Sequence, residues 1–554
     1  MKKRLANQKT RSETGLDYVI SCVNILTPFG RKALKDKEPF FPGEESLLEE
    51  EFGKLGKMLE FAKESGGGAD ELLRIFMEIK DIRHTVERSG KDALSVVELF
   101  EIKSLLLKME RIAKILADSN TRIPEDYLLM PLPALTGRLD PRNDRMDTFY
   151  LYDEFSEKLK EARKKKRETE GAIRREKKKL GAEIMEKYGI ELTPRFDCTI
   201  SKTDPGNLEK ARNISELAHS GEDYVSVTFE IRGTEEIDRL LREEDDAAET
   251  IEREELAVRE ELSRDIAGYE KELLENCLKI GELDVALAKA LYAANHNCVI
   301  PVITTDHIIQ ITGGRHLHVE DILSSKGKGY CPVSISLSDG VTCITGANMG
   351  GKTVSLKLAG LVSLLAQNAF FVPCEKAVVG LSNFTQILIG DNQSIDRGLS
   401  GFGSEMESLK EILDNGKDRS LILVDEIAGG TNPAEGFALT MGLIDHLKGK
   451  PYISLFTTHF DVAMAGGAVT NLQVAGLAGA DFDMLDKEIR YADRRDRISI
   501  IAKYMDYRLL KADKRKKVPR DALNIAGMLG IDREIIEKAK KYLEGGKHGK
   551  QIDT

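Results

Sequence analysis

The stretch "TGANMGGKT", Thr345–Thr353, constrains this chain more than any other. It follows a short apolar run, Val341–Ile344, and leads into the apolar-periodic segment "VSLKLAGLVSLLAQ". Strand, glycine loop and helix in direct succession are the context that a phosphate cradle needs. Gly346, Gly351, Lys352 and Thr353 fit the pattern GxxxxGK[ST] without a mismatch, and Gly350 adds a further glycine. Such a loop turns backbone N–H groups inward around a β-phosphate, and the dipole of the next helix adds to the attraction. The nucleotide-binding residues expected here are therefore Gly346, Ala347, Asn348, Met349, Gly350, Gly351, Lys352, Thr353 and Val354. Lys352 reaches the β/γ oxygens of a nucleoside triphosphate, ATP, and the Thr353 hydroxyl ligates Mg²⁺.

"SLILVDEIAGGT" supplies the other half of the site. Leu421–Val424 reads as a buried strand that ends in two acids. Asp425 is placed to hold the magnesium shell through water, and Glu426 to polarise the attacking water. His459 closes another apolar strand, "YISLFTTHF", and is expected to sense the γ-phosphate. "GLSGFGSEM", Gly398–Met406, has two readings: a helix cap with Ser404 as N-cap, or a second phosphate-binding edge offered to a partner subunit. The expected catalytic residues are thus Glu426, Lys352 and His459, and the metal ligands Thr353 and Asp425.

At 554 residues the chain has room for roughly three or four domains. Its 32% of charged residues points to long solvated helices, and its net charge of −11 gives no global attraction to nucleic acid. Seven scattered cysteines without CxxC spacing suit reduced thiols in a cytoplasmic protein. "MKKRLANQKTRSETG" has no apolar region behind its basic residues and does not read as a signal peptide. The most apolar long window, Leu358–Cys374, is interrupted by Ser363, Gln367, Asn368 and Pro373, so it reads as a buried helix followed by a strand rather than a membrane span.

Apolar spacings of three and four predict helices through 15–120, in "LLRIFMEIKDIRHTVE" and "VVELFEIKSLLLKMERIAKILA", with a proline-dotted connector up to 150. A charged helix follows, whose thin stripe is Ile173, Leu180, Ile184 and Tyr188. A second segment starts near Glu235 and carries Leu262, Ile266, Tyr269, Leu273, Cys277 and Ile280. Two narrow stripes suggest an antiparallel pair, each helix covering the other; each alone is equally readable as a solvated spacer. Between them, at about 193–233, "FDCTISK" and "YVSVTFEIRG" are β-like and "TDPGN" reads as a turn, giving a small tip domain on a two-helix arm. The expected divisions are 1–14, a basic tail; 15–150, a helical core and connector; 151–300, arms and tip; 301–513, a P-loop α/β domain; 514–546, a helical unit with a stop at Gly530; and 547–554, a tail.

"TGANMGGKTVSLK", "IGDNQSIDRGLSGFGSEM", "SLILVDEIAGGTNPAEGFAL" and "FTTHF" together resemble the ATPase region of the MutS family, in the bacterial branch that lacks the mismatch-reading domain. "GLDYVISCVNILTPFGRKAL" is similar to the start of that family's helical core, and "ELDVALAKALYAA" to the return into it. "GGRHLHVE" resembles a GRHP-type motif, with Leu317 where proline is usual, and "ALNIAGMLGIDREIIEKAKKYL" a helical unit that supports dimerisation. The resemblance implies an α+β multidomain protein with lever helices and a clamp tip, an ABC-type P-loop domain, and a homodimer or a pairing with a related MutS-like chain. It also implies a shared ATP site, in which Ser400 meets the other subunit's γ-phosphate and Thr431 and Asn432 lie in a loop crossing the same interface. No mismatch-reading segment is expected before Gly15, and no nuclease-like unit after Leu543.

Three clients follow from the resemblance: duplex or branched DNA; a protein, as for short MutS-like ATPases linked to cobalamin-dependent lysine or ornithine aminomutases as reactivases; and ribosomes or structured RNA. Residues 151–190 hold 13 basic and 9 acidic residues, whereas 235–276 hold 6 and 17. An acidic return arm is a poor surface to lay on phosphate. The middle of the tip offers Lys202, Lys210 and Arg212 without aromatic interleaving. No membrane partner is expected.

Overall fold

A computed structural model describes residues 4–64, 67–146, 148–346, 351–390, 401–416, 418–428, 432–460, 469–477, 479–491, 497–512 and 521–545. The chain forms two compact units, one of Met1–Met77, Asp118–Leu128 and Ile280–Thr554, the other of Glu78–Ala117 and Leu129–Lys279. This division cuts across the sequence-based boundaries. Helices between 15 and 77 group with the P-loop region, while the helix Val96–Ala117 groups with the charged helices.

The first unit is built on a six-stranded sheet. Its strands lie in the order Asp506–Lys511, Val469–Gly476, Gly340–Thr345, Tyr452–Thr457, Ser420–Asp425 and Phe384–Ile389. All neighbours are parallel except the antiparallel edge strand Asp506–Lys511. Ser420–Asp425 is buried at every position, as a parallel strand covered on both faces must be. One face carries Leu409, Ile412, Leu443, Ile444 and Leu447 from the helices Gly401–Asn415 and Pro433–Leu447. The helix Lys352–Gln367 covers the other face and also packs on a second sheet of four strands, ordered Val302–Thr304, Lys376–Gly380, Ile308–Gly314 and Val333–Ser338. Beyond that helix, "FFVPC" forms no strand; Val372 makes an isolated bridge to Val299.

Residues 1–14 are not a free tail where they are described. Gln8–Glu13 is helical, with Asn7 as N-cap. The edge strand Phe384–Ile389 donates from Thr385 N to Leu5 O at 2.7 Å and from Ile387 N to Thr10 Oγ1 at 3.2 Å. The segment thereby satisfies N–H groups that a bare sheet edge would expose. Nearby, the buried Asp284 carboxylate accepts from Thr27 N and Thr27 Oγ1, both at 2.7 Å, fixing the start of the helix Pro28–Asp36.

In the second unit two long helices, Glu157–Tyr188 and Glu235–Ala267, lie against each other. Ser156 and Thr234 cap their N-termini, and Arg163 joins them through Glu255 at 2.8 Å. The contact differs from the expected stripe. Ile173 is buried, Ile184 is buried in the core of the tip with Cys198 and Val227, Tyr188 is exposed, and the return helix breaks at Gly268. Along that helix the buried apolar residues are Ile237, Leu240, Ala247, Val258, Leu262 and Ile266. The tip is a three-stranded antiparallel sheet, with Ser226–Ile231 between Asp197–Ser201 and Leu217–Glu222. "TDPGN" does not merely turn: Asp204 caps the helix Pro205–Asn213, and Ala211 packs on Cys198, Val227 and Phe229. Among the described residues no helix is long and apolar enough to cross a membrane.

Candidate nucleotide site

The strand Gly340–Thr345 ends at Gly346, which takes φ +134°, and the helix opens behind Gly351 at φ +75°. Both are backbone conformations that a side chain would strain, which accounts for glycine at these two positions. Ala347, Asn348, Met349 and Gly350 lie outside the described residues, as do Ser400 and Thr431.

Lys352 starts the helix with a buried side chain. Its ammonium donates to Gly346 O at 3.0 Å, lies 3.2 Å from His459 Nδ1 and pairs with Glu426 Oε1 at 3.1 Å. Because an ammonium can only donate, Nδ1 of His459 accepts; Nε2 then carries the proton and donates to Glu426 Oε1 at 2.8 Å. Burial lowers the Lys352 pKa, and the Glu426 carboxylate works against that shift. The three expected catalytic side chains thus meet in one cluster.

Beside it, Thr353 Oγ1 donates to both carboxylate oxygens of Asp425, at 3.0 and 2.9 Å. Thr457 Oγ1 donates to Asp425 Oδ1 as well. The parallel register sets Asp425 opposite Thr457 and so puts both side chains on one face. Burial raises the Asp425 pKa, with the Thr457 and Thr353 hydroxyls pulling the other way. A buried carboxylate held only by hydroxyls, with no lysine or arginine bonded to it among the described residues, has the hard-oxygen donor chemistry that Mg²⁺ takes. Thr353 and Asp425 fit that ion.

Next to the helix start lies an open cavity of about 700 Å³, whose lining includes Tyr330, Gly351, Val354, Met505 and Tyr507. Thr457, Tyr330 and Tyr507 were not singled out from sequence. Thr457 was visible in "FTTHF" as the strand's last residue, but the two tyrosines come from distant segments and carry no local signal. The helix Gly401–Asn415 already begins at Gly401, so Ser404 lies inside its first turn rather than capping it. Asn432 caps the helix Pro433–Leu447 by accepting from Ala434 N at 2.9 Å. In "GGRHLHVE", His316 is buried against Gly15, and that burial lowers its pKa to about 4, so the motif holds the N-terminal segment.

A glycine loop at the end of a parallel strand, with a strand-end acid paired to the loop threonine, defines a P-loop-type nucleoside triphosphatase domain. Residues 342–544 match the family model of MutS domain V, which is an ATPase domain. The chain is 38% identical over 184 residues to "Endonuclease MutS2" of Clostridium botulinum strain Langeland, covering 33% of this chain and 23% of that protein. It is 32% identical over 287 residues to "Endonuclease MutS2" of Acetivibrio thermocellus, covering 51% of this chain and 33% of the relative. The protein of that name from Fusobacterium nucleatum is 34% identical over 285 residues, 49% of this chain and 33% of its own. The chain therefore spans between about a quarter and a third of the length of these relatives, to which it is distantly homologous.

Proposed function

We propose that this protein hydrolyses ATP and uses the cycle to open and close a clamp made of the two long helices and their tip. The carrying observation is the pairing of Thr353 with Asp425 beside the Lys352–Glu426–His459 cluster. Mg²⁺ held by Thr353 and Asp425 would neutralise charge on the β- and γ-phosphates. Lys352 leaves Glu426 for the phosphates. Glu426, freed, orients and polarises water, while His459 reports on the γ-phosphate from its neutral, Nε2-protonated form. The cavity at Tyr330 and Tyr507 offers aromatic faces to the base.

MutS-family proteins typically dimerise, and the site reads as one half of a shared pair completed by Ser400 of a second copy. Mixing Ser400→Arg with Lys352→Ala protein then restores one active site per heterodimer, measured as activity above that of either variant alone. By family the client is duplex or branched DNA. The test is binding to a four-way junction across a salt series, with ADP and with a non-hydrolysable ATP analogue. DNA clamping requires affinity that depends on nucleotide and falls steeply with salt. Weak binding, indifferent to nucleotide, refutes it.

One observation favours a second reading, a folded protein client such as an aminomutase. Tyr224 is fully exposed on a tip hairpin, directly after Glu222 and Asp223, and Lys202 is tied to Glu222 at 2.7 Å. An aromatic in an acidic setting suits a protein surface better than phosphate. Structured RNA has no observation of its own in its favour. The endonuclease activity named for the relatives is not carried over to a chain that spans so little of them.

A further inference from the structure

The carboxylate assigned to water activation stands on an unusual backbone. Glu426 takes φ +47° and Ala428 φ +62°, two non-glycine residues in left-handed conformation within three positions. Each costs on the order of 1 kcal/mol and persists only where neighbours over-determine it. Three bonds do so. Glu426 N donates to Thr457 O at 3.1 Å, Gly390 N donates to Asp425 O at 3.1 Å, and Ala428 N donates to Glu405 Oε2 at 3.0 Å. The first two belong to the sheet ends. The third comes from a side chain of another helix, Gly401–Asn415, and that side chain is a carboxylate only 5% exposed.

We propose that Glu405 is a positioning residue for hydrolysis: it grips Ala428 N, holds the left-handed turn Glu426–Ala428, and so aims the Glu426 carboxylate. A carboxyl oxygen that accepts from a backbone N–H satisfies a donor with no other outlet among the described residues, and leaving that N–H unpaired inside the protein is costly. Gly390 makes the approach possible. A Cβ there would stand 2.9 Å from Glu426 O and 3.0 Å from Glu405 Oε1, so any side chain would push the two apart. Glu405 also sits five residues beyond Ser400, on the helix that follows the loop assigned to the partner's phosphate. The helix bearing that loop and the turn bearing Glu426 are thus joined by one side chain.

The inference rests on the reading of Glu426 as the water-activating carboxylate, and the test keeps the two apart. Four variants of the full chain are compared with wild type for binding of a non-hydrolysable ATP analogue and for steady-state ATP turnover: Glu405→Met, which fills the space without an acceptor; Glu405→Gln, which keeps one; Gly390→Ala; and Glu426→Gln. Expected are nucleotide affinity within about twofold of wild type for all four, and turnover slowed about 10- to 100-fold in Glu405→Met. Glu405→Gln should return to within about threefold of wild type, and Gly390→Ala should slow turnover with binding intact. Should Glu405→Met not fold, the Gly390→Ala and Glu405→Gln pair carries the test. Wild-type turnover in Glu405→Met or Gly390→Ala, beside lost turnover in Glu426→Gln, overturns the role of Glu405 alone, as does loss of nucleotide binding in step with turnover. Undiminished turnover in Glu426→Gln overturns the reading beneath it.

Discussion

The Lys352 ammonium lies 3.1 Å from Glu426 Oε1, so the cation meant for phosphates and the carboxylate meant for water neutralise each other before any nucleotide arrives. In the proposed cycle the pair is a lock that ATP must break, because a triphosphate attracts Lys352 more strongly than one carboxylate does. Lys352→Met is expected to lower nucleotide affinity at least about 100-fold, roughly the contribution of a charged contact to phosphate. The nucleotide-free variant should stay folded, within about 1 kcal/mol of wild type, since burial already weighs against the Lys352 charge. Equilibrium binding of a fluorescent ATP analogue, with thermal unfolding of the same samples, checks both.

Asp425 invites the opposite trade. Burial raises its pKa above the ordinary 3.8, so the folded chain favours the protonated acid. Its contribution to stability is complete below 3.8 and is lost as pH rises through the raised value. Asp425→Asn replaces the buried carboxyl group, whose ionised form burial disfavours, with a neutral amide. That variant is expected to be more stable than wild type by about 1 kcal/mol at pH 7 without Mg²⁺, with the gain shrinking toward pH 4, and to lose Mg²⁺-dependent hydrolysis. Denaturant titrations at several pH values, with and without Mg²⁺–ATP, measure both sides.

Much of this site was legible because its residues are contiguous. "TGANMGGKT" and "SLILVDE" each place a candidate ligand beside a strand end, and the folded sheet does bring Lys352, Thr353, Asp425, Glu426 and His459 together. The arm helices were legible only as a pair: each charged run alone reads equally as a solvated spacer, and two narrow stripes together suggest helices that cover each other. What escaped depends on long-range pairing. Leu5 and Thr10 cover a sheet edge nearly 380 positions away, which no local basic pattern reveals. The return helix breaks at Gly268 although apolar spacing continues through it, because spacing tracks burial and not the continuity of the helix. Tyr188 fits the stripe by number, yet it stands in the last turn, beside the Gly189 cap, and is exposed there.

Lys289 gives a pH dependence outside the site. It is buried beneath the end of the P-loop helix and donates to Asn368 O at 3.1 Å and Ala369 O at 3.0 Å, with the Phe370 ring 4.1 Å away. Burial brings its pKa from 10.5 down to about 7. A depressed pKa means stability present above 10.5 and lost as pH falls to about 7, with no further loss below. Lys289→Met removes that dependence. Set against a constant penalty of about 1–3 kcal/mol for the two carbonyls left unpaired, the variant should gain on wild type as pH falls from 10 to 7. Parallel urea titrations of the two proteins across this range test the sign.

The central claim is that Glu426 drives hydrolysis without being needed to hold the nucleotide. The direct measurement is ATP affinity and turnover, with Mg²⁺, on one preparation each of wild type and Glu426→Gln. The amide keeps the shape of the side chain but not its basicity or charge. The account predicts affinity within about twofold of wild type and turnover reduced at least about 100-fold, the usual scale for losing a general base. Turnover at the wild-type rate in Glu426→Gln, with Lys352 and Thr353 intact, would contradict it.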